Sequence, residues 1–99
     1  MHTIVLDGRE YMLRCDLNVI EQIEDHFGEI KAAYEKAGDI SATKELAVMM
    51  INEHLYYTKS PERVTPDWVG SRITSTADIV PIASELLAAL GECIAPKNV

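Results

Sequence analysis

The chain predicts a small single-domain α+β protein, mainly helical, in which a short N-terminal β-hairpin packs on a bundle of about four to five helices. Three observations lead there. Alternating apolar residues flank an Asp7-Gly8 pair near the start of the chain. From Leu17 onward apolar residues recur at helical rather than strand spacing. The 99 residues suffice for one core and leave no room for a second.

The hairpin is expected over residues 3–14. Asp7-Gly8 suits a two-residue type I′ turn, because both central positions need positive φ, which Asp and Gly tolerate best. That turn sets Leu6 opposite Arg9 and Ile4 opposite Tyr11. Ile4, Leu6, Tyr11 and Leu13 then share one face, while Thr3, Glu10 and Arg14 lie mostly on the other. A two-stranded ribbon is marginal alone in water, so something must cover the apolar face.

A first helix over 17–27 is the nearest candidate. Asp16 or Asn18 can cap it, and Asn18 with Glu21 has the form of a capping box. Gly28 stops it. Ile20, Ile23 and Phe27 recur at helical spacing, with Leu17 and Val19 widening the stripe and Glu21, Glu24 and Asp25 on the outer side. A short second helix, 29–37, places Ile30, Ala33, Tyr34 and Ala37 together before Gly38.

Ser41 is expected to cap a longer third helix, 42–57. Residues 46–51 (Leu-Ala-Val-Met-Met-Ile) are apolar without a break, and at about 100° per residue they wrap the whole circumference. Such a helix must be surrounded. A central position within the monomer is favoured over a partner-binding role, although Met49 and Met50 suit a surface that accepts varied apolar partners. After a loop at 58–64, Thr65 caps a fourth helix, 66–74, with Pro66 at its first position and Asp67 at the positive end of its dipole. Trp68 is expected as a core or lid residue against Val69 and Ile73.

The last helix is expected over 78–94. Pro81 is tolerated only in a first turn, where its missing N–H has no partner to lose, so the start belongs at or just before Asp78. Ile79, Ile82, Ala83, Leu86, Leu87, Leu90 and Ile94 form a wide apolar face beside a thin strip of Ser84, Glu85 and Glu92. That is more apolar surface than a terminal helix of so small a domain needs to bury, and it favours self-association into a homo-oligomer.

Asp7, Gly8, Tyr11, Leu13, Asp16, Leu17, Asn18, Glu21, Glu24, Phe27 and Gly28 form a hairpin with Asp-Gly, a Tyr-x-Leu strand, Asp-Leu-Asn and an acidic helix ending in Phe-Gly. This pattern, covering about the first third of the chain, resembles the tail assembly chaperones of long-tailed bacteriophages and prophages. Cys15 departs from it, standing where an aromatic or aliphatic residue is the rule, and beyond Gly38 the similarity is one of length and helical character. The resemblance implies a non-catalytic protein of the host cytoplasm that binds the tape-measure protein, assists assembly of the tail tube protein around it, and is absent from the mature virion. It also implies that a longer form can arise by ribosomal frameshifting, for which Pro96-Lys97-Asn98 permits a slippery run of codons. The alternative is a small prophage structural tail component or adaptor acting only by protein–protein interaction. Partner contact is assigned to Met49, Met50, Leu55, Tyr56, Tyr57, Leu86, Leu87 and Leu90.

Charge and composition narrow the function classes. Sixteen acidic residues against nine basic ones leave a net charge of −7, and residues 16–29 hold five carboxylates with no Lys or Arg. Nucleic-acid binding needs the opposite field, since its affinity comes largely from phosphate neutralisation. Cys15 and Cys93 lack C-x-x-C spacing and a secretory signal, so both are expected as reduced thiols in the cytoplasm. The longest apolar blocks fall short of a membrane span.

Catalysis finds little support. His2, His26 and His54 recur with no Cys, Asp or Glu at metal-binding spacing, and the adjacent pairs Asp25-His26 and Glu53-His54 diverge on a helix. There is no Gly-rich phosphate loop and no G-x-S-x-G elbow. The expectation is no enzyme, no cofactor and no metal.

Overall fold

Asp7 and Gly8 both adopt left-handed φ, 54° and 79°, and turn the chain sharply back on itself in the computed structural model, which describes residues 1–95. This turn joins β1 (His2–Leu6) to β2 (Arg9–Leu13) in an antiparallel pair with Leu6 opposite Arg9 and Ile4 opposite Tyr11. Ile4, Leu6, Tyr11 and Leu13 are buried on one face of the ribbon, where they enter the single core. Five α-helices follow: α1 (Leu17–Phe27), α2 (Ile30–Lys36), α3 (Ile40–Tyr57), α4 (Pro66–Ser71) and α5 (Ile79–Ile94), the last preceded by a 3₁₀ turn, Thr76–Asp78. The protein is thus a small α+β domain, a helical bundle carrying a two-stranded hairpin.

Asp16 alone caps α1, its Oδ1 accepting from the N–H groups of Asn18 (3.1 Å) and Val19 (3.3 Å). The Asn18–Glu21 capping box does not form: the Asn18 N–H that the box would give to Glu21 is bonded to Asp16 Oδ1, and the Asn18 side-chain Nδ2 donates to Glu53 of α3. Val19 and Ile23 point fully inward, whereas Leu17, expected in the apolar stripe, is 82% exposed. Gly28 ends the helix at φ 90°, its N–H donating to Glu24 O at 2.8 Å.

The third helix starts two residues earlier than the Ser41 cap implied. Asp39 occupies the N-cap position without a side-chain bond, and the buried Thr43 hydroxyl donates back to Ala37 O at 2.7 Å, tying α3 to the end of α2. α3 is the central helix, touching β2, α1, α4 and α5. Leu46, Ala47, Met49, Met50 and Ile51 are buried on it. Its C-terminus is a Schellman motif: Ser60 N–H bonds Leu55 O at 2.9 Å and Lys59 N–H bonds Tyr56 O at 3.0 Å, with Lys59 at φ 63°.

Thr65 Oγ1 accepts from Trp68 N–H at 3.1 Å, and Pro66 opens α4. The helix ends at Ser71 rather than 74, since Arg72 and Ile73 already bond three residues back in a tightening turn. Trp68 acts as a half-buried lid whose ring meets Tyr11 edge-on, with centroids 5.5 Å apart, so its aromatic partner is on the hairpin. Pro81 sits in the first turn of α5, which begins at Ile79 behind a 3₁₀ turn capped by Ser75. Residues 96–99, including the Pro96-Lys97-Asn98 run, lie outside the described residues.

Candidate functional site

The densest polar cluster lies where the end of β2 meets α1 and α3. Arg14 leaves the hairpin with its N–H bonded to Met50 O (3.1 Å) and its Nε 3.0 Å from Asp16 Oδ2. Its guanidinium lies over the Tyr57 ring, 3.6 Å from the centroid. From the other side Asn18 Nδ2 donates to Glu53 Oε2 at 3.1 Å, and the buried Glu53 carboxyl shares a hydrogen bond with Asp16.

Two carboxyls this close cannot both ionise cheaply, and their environments separate them. Burial pushes the Glu53 carboxyl up, and the Asp16 carboxylate beside it pushes in the same direction. Burial opposes ionisation of Asp16 too, but the bonds from Glu53, Val19 N–H and Arg14 outweigh it and hold Asp16 low. The arrangement links hairpin, α1 and α3 through a helix cap. Around it the surface is apolar: Leu17 follows Asp16 directly, and Tyr56 and Tyr57, both 63% exposed, close the end of α3.

A second cluster joins the start of β1 to α5. His2 Nδ1 lies 3.0 Å from Glu85 Oε2, while Nε2 lies 3.0 Å from Glu92 Oε1. These two carboxylates raise the His2 pKa above its ordinary value, Glu85 contributing most. Cys15 and Cys93 line the adjacent cleft with Met1, Leu13 and Ala89. Burial pushes the Cys15 thiol far up, and the neighbouring Cys93 adds to the shift, so Cys15 stays protonated and is a poor nucleophile. Both cysteines are free thiols. Among the described residues no group of three His, Cys, Asp or Glu side chains can hold a metal ion.

The eight residues assigned to partner contact separate into two groups. Met49, Met50, Leu86 and Leu90 are core residues, buried where α3 and α5 pack together beneath the hairpin; that burial removes them from any contact surface of the folded monomer and corrects their assignment. The uninterrupted apolar run at 46–51 is thus used up inside the chain. Leu55 and Leu87 are half-buried against the same core. Of the eight, Tyr56 and Tyr57 alone stand exposed at the surface.

Sequence reasoning missed Leu17 as a surface residue, although helical spacing sets it in line with Glu21 and Glu24 on the outer face of α1. It also missed the approach of His2 to Glu85 and Glu92 and of Cys15 to Cys93, since these pairs are remote in the chain. Val5 had a usable signal: strand parity puts it opposite Ile4 and Leu6, on the exposed side. Among the described residues, no helix is long and apolar enough to cross a membrane. Comparison with protein-family models, with curated proteins and with solved structures finds no match to the chain.

Proposed function

We propose that the protein is a non-catalytic tail assembly chaperone of a bacteriophage or prophage, which binds a tape-measure protein in the host cytoplasm and leaves before the virion matures. One observation carries the reading: the Asp7-Gly8, Tyr11-x-Leu13, Asp16-Leu17-Asn18 and Phe27-Gly28 pattern of its first third. What supports it physically is an acidic body that keeps complexes dispersed by charge repulsion, with exposed Leu17, Tyr56 and Tyr57 at one corner as an apolar contact for amphipathic partner segments. The same corner serves homo-oligomerisation in this reading. Aromatic anchors beside an Arg are the composition that concentrates binding energy at protein interfaces.

Co-expression with the tape-measure protein encoded beside it tests the proposal. A partner that becomes soluble only in the presence of this chain supports it; a partner equally insoluble with and without the chain rejects it. The particle content separates the chaperone from a structural tail component, which would be present in purified virions at defined stoichiometry.

A further inference from the structure

β1 has a hydrogen-bonding edge that no other strand covers among the described residues. Leu6 and Arg9 close a two-residue turn and so form a hydrogen-bonded pair, a pattern repeated at Ile4–Tyr11 and His2–Leu13. The N–H and C=O groups of Thr3 and Val5 therefore point away from β2. The corresponding edge of β2 runs against α3, where Arg14 N–H reaches Met50 O. On the β1 side α5 packs along the strand, and between the two lies a cleft of about 320 Å³, whose lining includes Thr3, Val5, Ile73, Pro81 and Ile82.

Soluble proteins normally blunt such an edge with Lys, Pro, a bulge or a covering element. The β1 sequence His-Thr-Ile-Val-Leu has no Lys and no Pro, and its register runs without a bulge. Val5 is 59% exposed. Three carboxylates line the cleft: Asp7 lies 3.9 Å from Arg72 Nε and Glu85 lies 3.0 Å from His2 Nδ1, which leaves Asp78 without a cationic side chain beside it among the described residues. A second copy of this chain, with a net charge of −7, would bring the same carboxylates against themselves.

We propose that the β1 edge is a docking site for an extended segment of another protein, which adds as a strand beside Thr3 and Val5, between β1 and α5, and carries a Lys or Arg that faces Asp78. Backbone pairing supplies the register, and Val5, Ile73 and Pro81 receive alternate apolar side chains of the segment. This assignment rests on the edge and its charge, and is independent of the chaperone reading.

The probe is a short synthetic peptide that alternates valine and threonine around a central lysine, titrated to about 1 mM while amide exchange is followed residue by residue. Protection of the Thr3 and Val5 amides is expected, with Ile4 and Leu6 unchanged. Replacing the lysine by glutamate should weaken binding by about tenfold, and N-methylating alternate peptide residues should abolish it. Val5→Pro removes one outward N–H without touching the hairpin ladder and should also block binding; if that variant fails to fold, the N-methylated peptide still decides. Thr3 and Val5 amides left unprotected by the lysine peptide overturn the proposal, as does binding that ignores N-methylation or the charge swap. Protection that instead grows with protein concentration in the absence of peptide identifies the occupant as a second copy, and equally overturns it.

Discussion

Asn52 pairs with the backbone of Val64 through both ends of its side-chain amide, Oδ1 accepting from Val64 N–H at 2.8 Å and Nδ2 donating to Val64 O at 2.9 Å. A helix residue thus offers the returning loop the same two bonds that a neighbouring strand would, and pins buried Val64 against the core before α4 begins. Removing the amide leaves both backbone groups unpaired. Asn52→Ala should cost about 2–3 kcal/mol by chemical denaturation and release the Val64 amide to fast exchange. Asn52→Asp keeps an acceptor for the N–H but sets a carboxylate against the Val64 carbonyl, so it should not restore stability.

The His2 contacts with Glu85 and Glu92 give stability a pH dependence of known sign. The folded state raises the His2 pKa above 6.5, so its contribution is fully present below that value and is lost as pH rises through the folded one. Wild type should therefore exceed His2→Gln in melting temperature most clearly at acidic pH. The gap should close above neutrality. A gap that widens with increasing pH contradicts the assignment.

Glu53 behaves in the opposite sense to an ordinary paired carboxylate. Its folded pKa is raised above 4.5, so the folded chain loses stability as pH rises from 4.5 through the folded value. Glutamine keeps an oxygen for Asn18 and gains an N–H for Asp16, which makes Glu53→Gln close to neutral at acidic pH and stabilising above it. Asp16→Asn should be destabilising above about pH 4, because Asp16 is the lowered partner and its contribution is lost only as pH falls. Urea denaturation across pH 3–8 of the three proteins distinguishes the two roles.

Lys59 holds φ 63° at the end of α3, a left-handed conformation that costs a side-chain-bearing residue about 1 kcal/mol. Glycine removes that cost without altering the Schellman bonds. Part of the gain is offset by the greater freedom of glycine in the unfolded chain. Lys59→Gly should raise stability by about 0.5 kcal/mol, measured by equilibrium unfolding.

Two variants of α3 should separate core from contact surface. Met50→Ala opens a cavity at a fully buried site and should cost about 2–5 kcal/mol in any assay of folding. Replacing Tyr56 and Tyr57 together by Ser should leave the far-UV spectrum intact, with a smaller loss of stability through the Arg14–Tyr57 contact. Sedimentation and partner solubilisation should then fall in the tyrosine variant. Unchanged association there would remove this corner from the contact surface.

The hairpin was legible because its information is local. Two residues that tolerate positive φ stand between alternating apolar runs, and register follows from the turn, so Ile4 opposite Tyr11 needed no tertiary knowledge. Thr65-Pro66 and Gly28 were readable for the same reason. The start of α1 was only half legible, as Asp16 and Asn18 are both competent caps. The fold gives the position to Asp16, whose Oδ1 accepts from both Asn18 and Val19 N–H, and Asn18 enters the helix with its side chain donating to the remote Glu53. The partner residues were least legible, because an apolar run reports that a helix must be covered and not by what.

The sequence by itself determined the α+β class, the turn, the Thr65 cap, the Gly28 stop and the apolar inventory, all of which depend on the conformational preferences of neighbouring residues. Only the tertiary structure decided how that inventory is spent. Met49, Met50, Leu86 and Leu90 pack inside the chain, while Leu17, Tyr56 and Tyr57 remain outside and β1 keeps an open edge. Burial belongs to the relative placement of whole elements, and contacts between residues far apart in the chain set that placement.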